Sequence, residues 1–163
     1  MNDVANWRDG WLILTTLLAA LIIDSMVLPQ FLGSFRPDVL AVIVIYWSLM
    51  APQRVGVGVA WVAGLLVDVS SSGLIGLHAM VLSMQAYITL MLYQQIRMLP
   101  RFQQTLFVLI LMVLGKLLAM AVLGMTGRLP TIEFWFSLPA SVVFWPLIYA
   151  LVQRWRKRAL LPS

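Results

Sequence analysis

The chain has 163 residues, of which 62% are hydrophobic and only 10% are charged. A soluble domain carries about 25% charged residues, and a chain this small cannot hide so much apolar side chain from water. The composition excludes an ordinary soluble domain and predicts an all-α integral membrane protein. The absence of cysteine excludes thiolate metal sites, and the net charge of +5 is spread over short loops and a tail, so we expect no nucleic acid partner.

Six apolar segments follow one another along the chain, and a helix needs about 20 apolar residues to cross a bilayer. The first is longer than the core of a signal peptide and is followed by more apolar segments, so we interpret it as a permanent helix. The sequence predicts a single polytopic membrane domain over residues 1–163, ending in a basic cytoplasmic tail at 153–163. The predicted spans are 11–28, 37–51, 55–69, 74–93, 104–125 and 134–152.

The second and third spans are short, since fifteen helical residues extend only about 22 Å. Three explanations stay open: the two segments thin the bilayer, lie partly buried inside the bundle, or form a re-entrant hairpin. Removing both as a pair leaves the two termini on the same side, so the predicted orientation is the same in each case.

Basic residues set the orientation, because cytoplasmic loops carry the excess of Lys and Arg. Eight of them fall on one side of the predicted bundle and two on the other, which predicts an inner-membrane protein with both termini cytoplasmic. The Trp and basic cluster of the tail is interpreted as an anchor on anionic lipid, with a docking site for a cytoplasmic partner as the alternative. The eight are Arg8, Arg54, Arg97, Arg101, Arg154, Arg156, Lys157 and Arg158; the two are Arg36 and Arg128.

Ionisable residues inside a membrane need a partner or a function. Asp24, Asp68 and His78 fall at the outer end of their spans, and Lys116 lies near mid-depth, within reach of Asp24 or Asp68. We therefore predict an outer polar cluster of these four residues, either as a structural charge network or as a pocket or partner site. Asp38 suits capping of a helix N-terminus, because Pro is preorganised there and a carboxylate meets the helix dipole.

Two patterns predict how the helices pack. Small residues at intervals of four, Gly56, Ala60 and Gly64, allow close approach of membrane helices. His78, Gln85 and Thr89 fall on one helical face, which should point into the bundle. A lone histidine in such a stripe is more often a hydrogen-bonding residue than a metal ligand.

Catalytic and phosphate-binding motifs are absent from the sequence. The glycines near residue 56 lack the full nucleotide-binding pattern, and Ser, His and acidic residues show no triad context. An intramembrane hydrolase would need two acids at mid-depth, whereas Asp24 and Asp68 lie towards the outer end. We expect no enzymatic activity and no cofactor.

One stretch of the chain resembles the bacterial rod shape-determining protein family MreD. The likeness extends over the whole chain in length and span number, and its specific part runs from Arg36 to Ala79. The residues that carry it are Arg36-Pro37-Asp38, Tyr46-Trp47, Pro52-Gln53-Arg54-Val55-Gly56-Val57-Gly58, Gly64-Leu65-Leu66-Val67-Asp68 and Gly73-Leu74-Ile75-Gly76, with Trp145-Pro146 in the last span.

The resemblance implies a non-enzymatic scaffold or regulator of the complex that builds the lateral peptidoglycan wall. It implies direct binding to the bitopic protein MreC and work alongside MreB filaments, the glycosyltransferase RodA and a class B penicillin-binding protein. A pair of subunits bound to MreC is also expected. The family's fold is similar to the S-components of energy-coupling-factor transporters. The alternative that stays open is a small-molecule-binding membrane subunit of a transporter.

Overall fold

The computed structural model of the protein describes residues 3–25, 38–70, 74–127, 135 and 137–160. These residues form six α-helices and no strand, so the predicted all-α class is confirmed for this part of the chain. The helices are α1 (Asp3–Ser25), α2 (Val39–Met50), α3 (Val57–Ser70), α4 (Leu77–Met98), α5 (Arg101–Met125) and α6 (Ser137–Leu160).

The helices differ in how well they suit a lipid environment. Within the described ranges, α5 is long and apolar enough to cross a membrane by length and composition. Three further apolar segments, Gly10–Asp24, Val39–Met50 and Val57–Ser70, are shorter. The helix α4 is long but carries Gln, Thr and Arg side chains. The helices are therefore consistent with a membrane protein, while the six crossings stay a prediction.

The helix α2 forms the centre of the bundle. Every residue from Val39 to Leu49 is buried, and α1, α4 and α6 pack around it. A helix that is apolar on all sides avoids water, and here it does so by packing against other helices. The structure therefore places α2 inside the bundle, and how the two short segments meet the bilayer stays a prediction.

Aromatic side chains fix α2 between two of its neighbours. The Tyr46 ring packs edge to face against Trp47 of the same helix, with ring centroids 5.4 Å apart. It packs in the same way against Tyr149 of α6, with ring centroids 5.5 Å apart. This geometry places the positive ring edge on the negative ring face. Trp47 Nε1 donates a hydrogen bond of 2.9 Å to Thr16 Oγ1 of α1. The buried indole therefore has its polar group satisfied inside the core.

The bundle has two ends of opposite character. At one end α1 and α3 finish where α2, α4 and α6 begin, and at the other α2 and α4 finish where α3 and α5 begin. We call the first the acidic end, with Asp24, Asp38 and Asp68, and the second the basic end, with Arg54, Arg97, Arg101 and Arg154.

Candidate functional site

Asp24 at the acidic end caps the helix that follows it in the chain. Its Oδ2 accepts a hydrogen bond of 2.9 Å from Leu40 N–H, and its Oδ1 accepts one of 3.3 Å from Val39 N–H. The first turn of a helix leaves its N–H groups without intrahelical acceptors, and a carboxylate there also meets the positive end of the helix dipole. Asp24 therefore ties the last turn of α1 to the first turn of α2.

Asp38 occupies the N-cap position of α2, but its side chain makes no capping hydrogen bond. The prediction of a capping role for its carboxylate is wrong, because Asp24 supplies the acceptor and Asp38 is used elsewhere. Its Oδ2 lies 3.0 Å from Lys116 Nζ of α5, a partner that the sequence did not indicate for Lys116. Its N–H donates to Ser141 Oγ of α6 at 2.9 Å. Asp38 thus joins α2 to two other helices.

Asp68 near the end of α3 is the most completely buried acid of the described chain, with a side chain that is 0% exposed. Its Oδ2 accepts hydrogen bonds from Gly76 N–H and Ala79 N–H at 2.8 and 3.2 Å. Its Oδ1 accepts from His78 N–H at 3.0 Å and lies 2.8 Å from His78 Nδ1. A buried carboxylate needs several donors to offset its desolvation, and the first turn of α4 supplies them.

His78 is a rim residue at the start of α4, with a side chain that is 50% exposed. The predicted inward face therefore holds for Gln85 and Thr89, which are 2% and 0% exposed, and is wrong for His78. The histidine begins the helix, where the face has reached the end of the bundle. His78 Nδ1 and Asp68 Oδ1 form the side-chain contact of this pair, in addition to the His78 N–H bond to the same oxygen.

Gly76 has a positive φ of 96° at the N-cap of α4. This left-handed conformation carries a steric cost for any residue with a Cβ, and it directs the Gly76 N–H towards Asp68. Gly76 and Asp68 therefore form one local motif, in which the Asp68 carboxylate stabilises the turn at Gly76.

Of the two glycines in the predicted packing row Gly56, Ala60 and Gly64, only Gly64 lies at a close contact between helices. A Cβ on Gly64 would clash with the backbone of Ala79 and His78, so α3 and α4 approach each other closely there. Ala60 is fully buried. Among the described residues, apart from the adjoining backbone, no atom lies within 4 Å of the place where a Cβ on Gly56 or Gly58 would stand, so neither glycine makes a close approach there.

Other residues of the family stretch contribute to a turn or lie outside the described ranges. Arg54 N–H donates to Ala51 O at 2.9 Å in the turn between α2 and α3. Arg36, Pro37 and Gly73 belong to the undescribed residues.

A cavity of about 350 Å³ lies beside these groups at the acidic end. Asp24, Asp38, His78 and Lys116 line it, so the structure brings three members of the predicted polar cluster together with Asp38 around one space. Asp68, the fourth member, lies behind His78, while its neighbour Val67 reaches the cavity. The remaining lining residues are Leu40, Ala41, Leu77, Val81, Leu82, Gln85, Met112, Gly115 and Ala119.

Gln85 of α4 lies in the wall of this cavity, and Gln104 of α5 lies beside the C-terminal end of α4. The sequence did not predict the hydrogen bonds that these two amides make. Gln85 Nε2 donates to Leu111 O of α5 at 3.2 Å. Gln104 Nε2 donates to Ile96 O and Leu99 O at 3.1 Å, which satisfies carbonyls at the end of α4. The sequence signal for both residues is a glutamine within an apolar helix, because a buried amide needs hydrogen-bond partners.

Comparison with known proteins places the chain in context. Residues 9–155 match the family described as rod shape-determining protein MreD. A Haemophilus influenzae protein named rod shape-determining protein MreD is 28% identical over 153 residues, which cover 91% of this chain and 93% of that protein. No solved structure matches the chain. The similarity to S-components of energy-coupling-factor transporters therefore stays a prediction.

Proposed function

Because the chain belongs to the MreD family and so has a role in rod shape determination, we propose that it is a non-enzymatic membrane scaffold of the cell-elongation complex. In this proposal it binds MreC directly, and through MreC it works with MreB, RodA and a class B penicillin-binding protein. It lies in the inner membrane with both termini cytoplasmic, as a pair of subunits on MreC. The observation that carries the proposal is the family match over residues 9–155.

The use of the acidic residues supports a scaffold. Asp24 and Asp68 accept hydrogen bonds from the first turns of α2 and α4, and Asp38 forms an ion pair with Lys116. Each of these contacts fixes one helix relative to another. Catalysis by a carboxylate requires an oxygen placed to exchange a proton with a substrate, whereas Asp68 has a fully buried side chain with donors on both oxygens.

The direct test is a pull-down of the tagged full-length chain from its native membrane, followed by mass spectrometry of the proteins that co-purify. We expect MreC to be the main partner. Recovery of ATPase subunits without MreC would overturn the scaffold proposal.

The helix face that contacts MreC can be mapped because the chain contains no cysteine. Single cysteines at Ile22, Met91, Leu114 and Leu147 would each place one thiol on an exposed apolar position of a different helix. We expect cross-links to a cysteine-substituted MreC transmembrane helix from one of these faces. Equal cross-linking from all four would indicate random collision and would contradict specific binding.

A second candidate function is a small-molecule-binding subunit of a transporter, and the cavity at the acidic end favours it. Its volume falls within the range of about 300–1,000 Å³ that is typical of small-molecule sites. This function predicts a coupling surface for a cytoplasmic ATPase complex. The same pull-down separates the two candidates, since only the transporter subunit would bring down ATPase subunits.

A further inference from the structure

One row of residues on the outer side of α4 recurs at intervals of four and three. The row consists of Met80, Met84, Tyr87, Met91, Gln94 and Met98. At 3.6 residues per turn these side chains fall within about 80° of one another around the helix. Met84 is half-buried and the other five are exposed, so the row forms one open face of the bundle. We call this row the α4 seam.

The α4 seam contains no aliphatic residue, whereas the exposed face along the middle of α5 contains only aliphatic residues. That face consists of Leu106, Ile110, Leu114 and Leu117. Aliphatic side chains suit contact with lipid tails, which are equally apolar and offer no hydrogen bonds. Methionine is flexible and polarisable, and it is over-represented at adaptable binding surfaces. The composition of the α4 seam therefore indicates contact with another protein surface.

Tyr87 is the residue of the α4 seam that suits lipid least. It lies near the middle of the 22-residue helix, about 15 Å from either end. Its side chain is exposed, and its hydroxyl makes no hydrogen bond to a described residue. A hydroxyl in hydrocarbon without a partner is costly, and tyrosine in membrane proteins is enriched at the membrane–water interface. A helix packed on the α4 seam removes Tyr87 from the lipid.

The spacing of the α4 seam is that of a two-stranded coiled coil. Intervals of four and three average 3.5 residues, which keeps the same face towards a partner helix along its whole length. The a positions of this heptad are Met84, Met91 and Met98, and the d positions are Met80, Tyr87 and Gln94. In a parallel pair each d side chain enters a hole of the facing helix that includes the a residues before and after it. A second copy of the α4 seam therefore places two thioethers beside each Tyr87 ring.

These contacts make the α4 seam complementary to itself. Sulfur atoms interact favourably with aromatic rings, as at the contact of Tyr87 with the partner's Met84 and the partner's Met91. An amide both donates and accepts, so Gln94 can pair with the partner's Gln94 while its Nε2 keeps a 3.0 Å contact to Tyr93 Oη. Two copies of one chain insert in the same orientation, so a two-fold axis along the membrane normal makes their α4 helices parallel. Both requirements of the heptad, a parallel partner and matching side chains, are met by a second copy.

We propose that the α4 seam is the contact between two copies of this chain, related by a two-fold axis along the membrane normal. The inference rests on the proposed function for the existence of a pair of subunits, and it adds which surface joins them. The exposed faces of α1, α5 and α6 are left for MreC and lipid.

Disulfide cross-linking in the native membrane tests this contact, because the chain contains no cysteine of its own. In a parallel pair a single cysteine meets its own copy, so Met84→Cys and Met91→Cys should each give a covalent dimer on oxidation. Leu114→Cys and Leu147→Cys, on exposed positions of α5 and α6, are the matched controls. They should react at least about tenfold more slowly, because thiols held in contact have a high effective concentration. Equal rates at all four positions would indicate random collision and would overturn the proposal.

The remaining outcomes separate this inference from the proposed function. A dimer from Leu114→Cys or Leu147→Cys alone would retain the pair of subunits and overturn the α4 seam. No dimer from any position, with MreC still recovered in the pull-down, would overturn the pair and leave the scaffold. Cross-linking of Met91→Cys to a cysteine in the MreC transmembrane helix, and not to itself, would assign the α4 seam to MreC. A dimer through the α4 seam without MreC in the pull-down would support the seam and contradict the scaffold.

A bulky substitution provides a second readout in the Met84→Cys background. Met91→Trp overfills the contact and should lower the yield of covalent dimer about tenfold, since overpacking a close contact is destabilising. Leu114→Trp is the matched control on α5 and should leave the yield unchanged. Both positions are exposed in the single subunit, so we expect both variants to fold. Equal yields in the two tryptophan variants would overturn the proposal.

Discussion

The backbone polar groups at helix termini find their hydrogen-bond partners in different ways at the two ends of the bundle. At the acidic end the carboxylates of Asp24 and Asp68, each near the end of one helix, cap the next helix, α2 or α4. At the basic end the buried amide of Gln104 satisfies the carbonyls of α4, while Arg97 and Arg154 are exposed. Long Arg side chains reach water from an apolar surface, whereas short Asp side chains cannot and must find donors inside. Carboxylates therefore hold helices together at the acidic end, whereas Arg97 and Arg154 of the basic end lie at the surface.

Removing Asp68 should have the largest effect. Asp68→Ala leaves the backbone N–H groups of Gly76, His78 and Ala79 without this acceptor, and each buried donor left unsatisfied costs about 1–3 kcal/mol. Thermal unfolding of the solubilised chain, followed by tryptophan fluorescence, measures the loss. His78→Ala is the control and should cost only about 1 kcal/mol, because it removes one half-exposed hydrogen bond. Equal losses would show that the backbone caps contribute little.

Gly64 and Gly58 compare the two halves of α3 with the same substitution. Gly64→Ala should destabilise the bundle by about 1–3 kcal/mol, since the new Cβ meets the backbone of α4. Gly58→Ala should stabilise it by about 0.5–1 kcal/mol, because alanine has less backbone entropy to lose and no described neighbour beyond the adjoining backbone would meet its Cβ. Unfolding temperatures of the two variants check this, and effects of the same sign would contradict the packing described here.

Asp24 and Gln104 compare a charged cap with a neutral one. Asp24→Ala should cost about 2 kcal/mol and Gln104→Ala about 1 kcal/mol, because hydrogen bonds to an ionised group are stronger. Both are measured by thermal unfolding in the same detergent. A larger loss for Gln104→Ala would reverse the proposed contrast between the ends.

The basic tail should have the smallest effect on stability and a separate effect on orientation. Replacing Arg154, Arg156, Lys157 and Arg158 together by Gln should change the free energy of unfolding by less than about 0.5 kcal/mol, since we expect the basic tail to make few packing contacts. Fusions of topology reporters to both termini should show weakened or inverted insertion. Unchanged orientation would refute the proposed topological role of these residues.

Periodicity and composition predicted the helical class, since apolar runs of this kind have few folded alternatives. The same reasoning found the acids of the outer cluster, because charge in an apolar run is conspicuous. It missed what Asp24 and Asp38 each contact, because a carboxylate can cap its own helix or the next, and the choice depends on how helices meet in space. The different surroundings of Gly64 and Gly56 were missed for the same reason. Their spacing shows that they share a helix face, but it does not show where two helices approach most closely.

We infer that the carboxylates of the acidic end hold the helices together and that MreC binds to other surfaces of the bundle. The direct test replaces Asp68 by Asn in the tagged chain. It measures, in one membrane preparation, the amount of folded protein and the amount of MreC recovered per folded molecule. We expect the folded amount to fall and the recovery per folded molecule to stay the same. A normal amount of folded protein with MreC lost would contradict the claim and make Asp68 a partner contact.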